Sequence, residues 1–122
     1  MEMTQGWIDN FHRKTINFLG GFELIEDFEG KERYIETATG NTWLLEEMDF
    51  YNDWNWIMEV VNKIECLENI YFQIEEKSCY VYDISKFTNE RMDSFIQQDG
   101  KTKKEAVIQA IDQFIDWYNK QK

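Results

Sequence analysis

The chain contains no proline, one histidine and two cysteines among its 122 residues. It has no glycine-rich phosphate-binding loop, no Gly-x-Ser-x-Gly turn, no His-Glu-x-x-His pair and no Cys-x-x-Cys unit. These absences remove the usual sequence signatures of nucleotide-binding enzymes, serine hydrolases, zinc peptidases and thiol-redox proteins. We therefore predict a non-enzymatic protein without a metal ion or a cofactor.

Positive charge is also scarce, since 24 acidic side chains stand against 13 lysines and arginines, for a formal net charge of −11. Ten of the acidic residues lie between Glu23 and Asp53, where Lys31 and Arg33 are the basic residues. Such acidity repels phosphate groups and argues against binding of nucleic acid or of an anionic membrane. It favours a partner protein with a cationic surface, although a purely solubilising role for the charge explains the same pattern.

The two cysteines, Cys66 and Cys79, have no other cysteine and no histidine near them in sequence. The N-terminus has neither the basic segment nor the apolar segment of a secretory leader, so we predict two reduced thiols in the cytoplasm. No apolar run approaches the roughly 20 residues that a transmembrane helix requires. The sequence thus predicts a soluble cytoplasmic protein.

Hydrophobic spacing predicts three helices in a single domain over residues 1–122. The first spans about residues 5–19 and ends at Gly20-Gly21, the second begins at Asn52-Asp53, and the third follows the capping box at residues 102–105. Alternating segments predict strands at residues 22–26, 33–37, 70–74 and 79–84, with a further short strand or loop at 43–45. Residues 85–100 are ambiguous, and residues 97–100 have the polar character of an exposed loop.

The predicted fold class is α+β, with an antiparallel sheet of about four to five strands packed with three helices in the order α-β-β-(β)-α-β-β-α. The periodic apolar positions are expected to share one core. These positions are Ile57, Val60, Val61, Ile64, Phe72, Ile74, Val81, Ile111 and Phe114.

His12 lies in the middle of the first predicted helix without a serine or cysteine motif around it. A general base built from His12 and a carboxylate is the functional alternative, but we interpret the residue as structural or as part of the surface. Carboxylate pairs such as Glu46-Glu47 and Glu75-Glu76 have the chemistry to bind a divalent cation. We interpret them as solvated side chains.

Trp54 and Trp56 lie two positions apart at the start of the second helix, so their side chains point about 200° apart around its axis. One of them can pack inward while the other stays at the surface, where tryptophan is a frequent anchor of protein interfaces. A wholly structural role for both is the alternative.

The segment Trp54-Asn55-Trp56-Ile57-Met58-Glu59-Val60-Val61-Asn62-Lys63-Ile64-Glu65 resembles Trp-Asp-Trp-Leu-Met-x-Val-Val-x-Lys-Ile-Glu, a segment of small uncharacterised proteins from phages and prophages of Bacteroidetes. Residues 16–21 and 110–119 are similar to two further stretches of that group, in the same order. The chain departs from the group at Asn55, where Asp is usual, and at Glu59, where Pro is common. The resemblance implies a phage-type accessory protein and assigns no catalytic or binding residue.

The acidity and the missing catalytic motifs predict a protein that binds a cationic partner protein through an acidic surface, with inhibition of a host defence or nucleic-acid-binding protein as a special case. The residues predicted to contact the partner are Glu26, Glu29, Glu46, Glu47, Asp49, Trp54 and Trp56. A module that binds a small molecule or a divalent cation with clustered carboxylates is the alternative, and an enzyme of unrecognised type is a third. A deep pocket ringed by polar groups favours these two, whereas a continuous acidic face favours protein binding.

Overall fold

The computed structural model describes residues 4–26, 32–67, 69–86 and 93–121, with the side chains of Glu26, Glu46 and Lys86 outside this description. Three helices and six strands follow one another in these residues: α1 (Gln5–Leu19), β1 (Phe22–Glu26), β2 (Glu32–Glu36), β3 (Thr42–Leu44), α2 (Trp54–Glu65), β4 (Ile70–Ile74), β5 (Ser78–Asp83), β6 (Ile96–Asp99) and α3 (Lys103–Lys120). Short 3-10 turns occupy Leu45–Glu47 and Ile84–Lys86. The α+β class is therefore confirmed.

The helices begin and end where local chemistry predicts. The side-chain oxygens of Thr4, Asp53 and Thr102 each accept a backbone hydrogen bond from the first turn of α1, α2 and α3, respectively. Such caps satisfy amide groups that have no partner inside the helix. Gly20 ends α1 with a φ of 71°, and Gly21 follows with a φ of 77°, a left-handed conformation that glycine adopts without steric strain. The predicted first helix and its stop signal are confirmed.

The strands of the described chain form two three-stranded antiparallel sheets, β1-β2-β3 and β4-β5-β6. This corrects the prediction of one sheet with about four to five strands. The predicted hairpin of residues 70–74 and 79–84 is confirmed, since β4 pairs with β5 from Ile70↔Asp83 to Ile74↔Cys79.

Strand β6 corrects the prediction that residues 97–100 form an exposed loop. It pairs with β5 from Val81↔Ile96 to Ser78↔Asp99, and Ile96 is its one fully buried residue. An edge strand with a single buried side chain shows almost no apolar alternation, so its own sequence resembles that of a loop.

The core lies between the helices and the second sheet and extends to Tyr34 of the first sheet and to Met48 and Phe50 before α2. Helix α3 packs on β5 and β6, helix α2 packs on β4, and α1 lies against α3. The predicted core is confirmed, because eight of its nine residues are buried and Ile74 packs against them as a partly buried side chain. Among the described residues, no helix combines the length and apolarity that crossing a membrane requires.

An ion-pair cluster joins α1 to α3. The Nζ of Lys14 lies 2.7 Å from Oδ1 of Asp112 and 2.8 Å from Oδ1 of Asp116. Burial acts to lower the pKa of Lys14, but the hydrogen bonds to the two carboxylates outweigh it, and the net pKa is raised. The contact therefore holds a charged lysine between the two helices.

The first sheet presents one face to the core and the other to solvent. Tyr34 is buried, and its directly paired neighbour Trp43 stacks edge-on against Trp56 of α2 at 5.3 Å between ring centroids. Directly paired residues share a face of the sheet. The opposite face carries the row Ile25↔Arg33↔Leu44.

Candidate functional site

A cleft of about 510 Å³ opens between α1 and the segment that joins β3 to α2. Five of its lining residues recur at helical spacing along one side of α1: Gln5, Ile8, Asp9, His12 and Arg13. The opposite wall consists of Glu32, Leu44, Leu45, Asp49, Tyr51 and Asn52. We call the space between these eleven residues the acidic cleft. Its volume falls within the range of about 300–1,000 Å³ that is usual for small-molecule sites.

His12 is the most unusual residue of the acidic cleft, because it is only 5% exposed and its Nε2 has no hydrogen-bond partner among the described residues. Oδ1 of Asp49 lies 3.8 Å from this nitrogen, which is too far for a hydrogen bond. The rings of Phe11 and Phe50 pack beside the imidazole, with centroids 6.4 and 6.0 Å away. A buried polar atom without a partner costs about 1–3 kcal/mol, and Nε2 is itself closed to solvent.

The protonation state of His12 follows from its surroundings. Burial lowers the pKa of His12 below its ordinary value of 6.5, while the negative charges of Asp49 and Asp9 act in the opposite direction. The imidazole is therefore neutral at neutral pH. A neutral imidazole has one nitrogen that donates a hydrogen bond and one that accepts.

Two carboxylates flank His12 without a cationic partner among the cleft residues. Oδ1 of Asp49 accepts the backbone N–H groups of Tyr51 at 3.1 Å and Asn52 at 2.9 Å, which shapes the turn before α2. Asp9, one turn before His12 on α1, accepts the side-chain amide of Gln5 at 2.9 Å. These are hydrogen bonds from neutral groups, and neither carboxylate forms an ion pair with a lysine or arginine, although the charge of Arg13 acts on Asp9 at longer range.

Glu32, the third carboxylate of the acidic cleft, forms an ion pair with Arg13. Nε of Arg13 donates to both carboxylate oxygens of Glu32, at 3.0 and 3.1 Å, and the hydroxyl of Tyr34 donates to the same group at 3.1 Å. Arg13 is the one lysine or arginine among the residues that line the cleft. The cleft therefore carries a net negative charge near Asp9 and Asp49.

The structure describes the side chains of four of the seven residues that are predicted to contact the partner. Asp49 lines the acidic cleft, whereas Glu47 is exposed and accepts the backbone N–H of Leu44 at 2.7 Å, closing a 3-10 turn. Trp56 packs inward, with its ring 5.3 Å from those of Trp43 and Phe50. Glu29 lies outside the described residues, as do the side chains of Glu26 and Glu46.

Trp54 is half-buried beside one wall of the acidic cleft. The Nζ of Lys104 lies 5.8 Å from the centroid of its ring and donates a hydrogen bond to the carbonyl of Asn52 at 2.6 Å. Lys104 thus ties the start of α3 to the turn that carries the cleft residues Tyr51 and Asn52. Both tryptophans are partly buried and pack against the core, Trp54 under Lys104 and Trp56 against Trp43 and Phe50.

The acidic stretch from Glu23 to Asp53 does not form one continuous face. In the first sheet Glu23 pairs with Ile35 and Glu36 pairs with Phe22, which puts the two glutamates on opposite faces. Several carboxylates of the stretch instead accept local hydrogen bonds: Glu32, Glu36, Glu47, Asp49 and Asp53. Much of the predicted charge cluster therefore has a structural role.

Asp9 and Arg13 were missed as site residues, and His12 was interpreted as structural or as part of the surface. A weak signal was present, because Gln5, Asp9 and His12 recur at intervals of four and three positions and so form a polar stripe along one side of the helix. The stripe alone is typical of a solvated helix face. A functional interpretation requires that the segment around Asp49 lies over the stripe. The sequence of the helix contains no information about that contact.

Within the described part of the chain, no group of three or more His, Cys, Asp or Glu side chains is arranged to hold a metal ion. The chemistry available in the acidic cleft is that of hydrogen-bond acceptors and negative charge. Comparisons of the chain with protein-family models, with curated proteins and with solved structures found no match.

Proposed function

We propose that this protein is a non-enzymatic binding protein that engages a cationic partner protein at the acidic cleft and the surface around it. The observation that carries the proposal is the net negative charge of the cleft, which contains the carboxylates of Asp9, Asp49 and Glu32 against the single guanidinium of Arg13. Half-buried carboxylates attract a cationic group more strongly than exposed ones, because water screens them less. The net charge of −11 adds a long-range attraction that speeds encounter with a positive surface.

The proposed contact surface extends from the acidic cleft to the partly buried ring of Trp54, because a tryptophan ring is suited to anchoring a partner. Glu26, Glu29, Glu46 and Glu47 supply further negative charge in the same part of the sequence. Because a carboxylate surface competes with phosphate for a basic face, such a protein is suited to blocking a nucleic-acid-binding protein. An accessory protein of a phage or prophage, acting in the host cytoplasm against such a target, fits this chemistry.

A small-molecule binding module is the second candidate. The polar-lined cleft of about 510 Å³ and the lack of one continuous acidic face favour it, because these are the features that distinguish a small-molecule site from a protein-binding surface. An organic cation suits the cleft better than a divalent metal ion, because His12, Asp9 and Asp49 do not converge as a ligand set.

The charge of the acidic cleft can be tested with a lysine-rich peptide as a cationic probe. We expect the double variant Asp9→Asn/Asp49→Asn to bind this peptide more slowly and with a flatter dependence on salt, measured by stopped-flow fluorescence. Asparagine keeps a side-chain oxygen for the turn at Tyr51, so the fold is retained.

The matched control is Glu75→Gln/Glu76→Gln, which removes two charges from the exposed turn between β4 and β5. This control removes the same number of charges as the cleft variant but from a place outside the acidic cleft. It should therefore change the association rate of the peptide much less. Equal losses in both variants would show that the peptide senses only net charge, and the proposed binding surface would then be wrong.

A further inference from the structure

We propose that the outer edge of β1 (Phe22–Glu26) pairs with an extended segment of the cationic partner protein, which adds an antiparallel strand to the first sheet. The segment has apolar residues beside those of β1 and lysine or arginine opposite its glutamates. The inference rests on the proposed function for the basic character of the partner, and it names the strand of this chain with which that partner pairs.

The register of the first sheet leaves backbone groups of β1 pointing outward. β1 stands at one end of the order β1-β2-β3, so in the part of the chain that the structure describes, a strand pairs with it on one side only. Thr37 donates its backbone N–H to the carbonyl of Gly21 at 2.9 Å. Because hydrogen-bonded pairs alternate along an antiparallel ladder, the N–H and C=O groups of Phe22, Leu24 and Glu26 point away from β2.

Glutamate side chains close the outer edges of β3 and β4. Oε1 of Glu47 accepts the N–H of Leu44 at 2.7 Å, and Oε2 of Glu65 accepts the N–H of Phe72 at 3.0 Å. The same alternation directs both of these amides away from the neighbouring strand. A carboxylate at an edge competes with an incoming strand for the amide, which is one way in which proteins protect their sheets. The N–H of Leu24 has no such acceptor among the described residues.

Exposed apolar side chains lie on both faces of β1. Leu24 is 58% exposed and Ile25 is 37% exposed, and consecutive residues of a strand point to opposite faces of the sheet. An added strand therefore covers apolar surface on both faces with two consecutive apolar residues of its own. The remaining edge strand, β6, lacks this feature, because its one apolar residue, Ile96, is buried in the core.

The charges of β1 favour a basic segment over a second copy of this chain. The strand contains Glu23 and Glu26 and no lysine or arginine. In a symmetric antiparallel pair of two β1 strands centred on Leu24, Glu23 would lie opposite Ile25 of the second copy, and each copy would bring a net charge of −11. A partner strand with lysine or arginine opposite the two glutamates forms cross-strand ion pairs instead.

The outer edge of β1 adjoins the acidic cleft. Glu26, at the end of β1, is paired in the register of the sheet with Glu32, which lines the cleft. A partner whose extended segment lies along β1 therefore brings its neighbouring residues close to the cleft. The strand supplies backbone hydrogen bonds, and the charges supply selectivity for a basic partner.

The experiment uses the full chain and the peptide acetyl-Gly-Lys-Val-Val-Lys-Val-Gly-amide. In antiparallel pairing its two lysines lie opposite Glu26 and Glu23, and its second valine lies opposite Leu24. We expect saturable shifts of the β1 amide resonances with a dissociation constant on the order of a millimolar, which is reasonable for so short a peptide. Hydrogen exchange at the Leu24 amide should slow by about tenfold when roughly nine-tenths of the protein is bound, because the bound amide donates to the peptide. Exchange at the Leu44 amide is the internal control and should not change.

N-methylated peptides separate backbone pairing from charge, since they keep both lysines. N-methylation of the second valine removes the N–H that would donate to the carbonyl of Leu24, and it should weaken binding by about tenfold. The matched control is N-methylation of the first valine, opposite Ile25, whose N–H would point to solvent. This control should bind within about twofold of the parent peptide. A peptide with glutamate in place of both lysines should not saturate.

Variants of the protein test the same edge. Leu24→Pro removes the outward N–H but no hydrogen bond to β2, and edge strands tolerate proline at such positions. It should abolish saturable binding of the parent peptide. Leu24→Ala keeps the N–H and should weaken binding only by about threefold, through lost apolar contact. Circular dichroism and urea unfolding check that both variants fold. If Leu24→Pro does not fold, the two N-methylated peptides decide the question with the unaltered chain.

Three outcomes would overturn the inference: equal binding of the two N-methylated peptides, unchanged exchange of the Leu24 amide at saturation, and protection of that amide that rises with protein concentration without peptide. The last outcome would assign the edge to a second copy of the chain.

The comparison of Asp9→Asn/Asp49→Asn with its control tests the proposed function separately. If that pair differs in its association rate while the N-methylated peptides bind alike, the proposed function stands without this inference. If the pair does not differ, the proposed function fails, whatever the result at β1.

Discussion

At the scale of single residues, the imidazole of His12 combines burial, an unpartnered nitrogen and two nearby carboxylates. Other polar groups near it are already used. Thr15, for example, is fully buried and donates its hydroxyl hydrogen to the carbonyl of Phe11 at 2.7 Å. The fold thus satisfies a buried hydroxyl one turn away but leaves the buried Nε2 of His12 without a hydrogen bond among the described residues.

His12 should make stability depend on pH. Burial lowers its pKa in the folded state below the ordinary 6.5, so the unfolded chain binds a proton more readily as the pH falls. The free energy of unfolding should therefore decrease as the pH drops from about 7.5 through 6.5 towards the folded-state pKa. Urea unfolding at pH 7.5 and 5.5 measures this decrease, and the His12→Gln variant should show a smaller one.

The comparison is clean because the chain has no other histidine, and carboxylates titrate mostly below this range. An equal decrease in the parent protein and in His12→Gln would mean that burial does not disfavour the protonated imidazole. The argument for a neutral imidazole at neutral pH would then be wrong.

At the scale of elements, α1 forms one wall of the acidic cleft, and its position depends on its contacts with α3. Lys14 faces α3 and holds Asp112 and Asp116, whereas Asp9, His12 and Arg13 line the cleft. The helix thus uses one polar side for a structural ion-pair cluster and another for the candidate site. Phe18 adds an apolar contact near the end of α1, with its ring edge-on to Phe114.

Replacement of Lys14 by methionine should loosen this contact. The variant keeps an unbranched stem but leaves Asp112, whose side chain is 19% exposed, without its cation. Because hydrogen bonds to charged groups contribute more than neutral ones, we expect a loss of about 1–2 kcal/mol of unfolding free energy in urea. Lys63→Met, at an exposed position of α2, is the control and should change stability by less than about 0.5 kcal/mol. Equal effects of the two substitutions would contradict a structural role for Lys14.

At the scale of the whole molecule, α3 connects most of the fold. Phe114 at its centre is fully buried, and its ring packs near those of Phe18 from α1 and Phe95 from the segment before β6, as well as Trp117 of its own helix. The helix also packs on β5 and β6. A cavity at Phe114 should therefore weaken the packing of α3 on both its neighbouring helix and the second sheet, because protein interiors are close-packed and relax only partly around a cavity.

Phe114→Ala should therefore cost about 3–5 kcal/mol, a large part of the stability of a domain this size. Val61→Ala, which removes less volume from α2, should cost less. The control Leu24→Ala, at a position of β1 that is 58% exposed, should change stability by less than about 0.5 kcal/mol. Thermal and urea unfolding measure these differences. If Phe114→Ala and Leu24→Ala unfolded alike, the core would have to lie elsewhere.

The local sequence determined the elements whose signals are carried by neighbouring residues. The cap at Thr102, the glycine pair after α1 and the alternation of Ile70, Phe72 and Ile74 each act within a few residues, so their elements are predicted almost to the residue. The predicted core follows for the same reason, because helical and strand periodicity identifies the apolar face of each element.

Tertiary structure alone decided the rest. Strand β6 exists because β5 supplies its hydrogen bonds, and the division into two sheets depends on which strands meet after chain folding. The acidic cleft has the same origin, since His12 comes from α1 and Asp49 from the segment before α2. Taken alone, His12 is explained as a residue of a helix and Asp49 as a residue of a turn. Their joint chemistry arises only when long-range packing places a carboxylate beside a buried imidazole, and no local pattern encodes that distance.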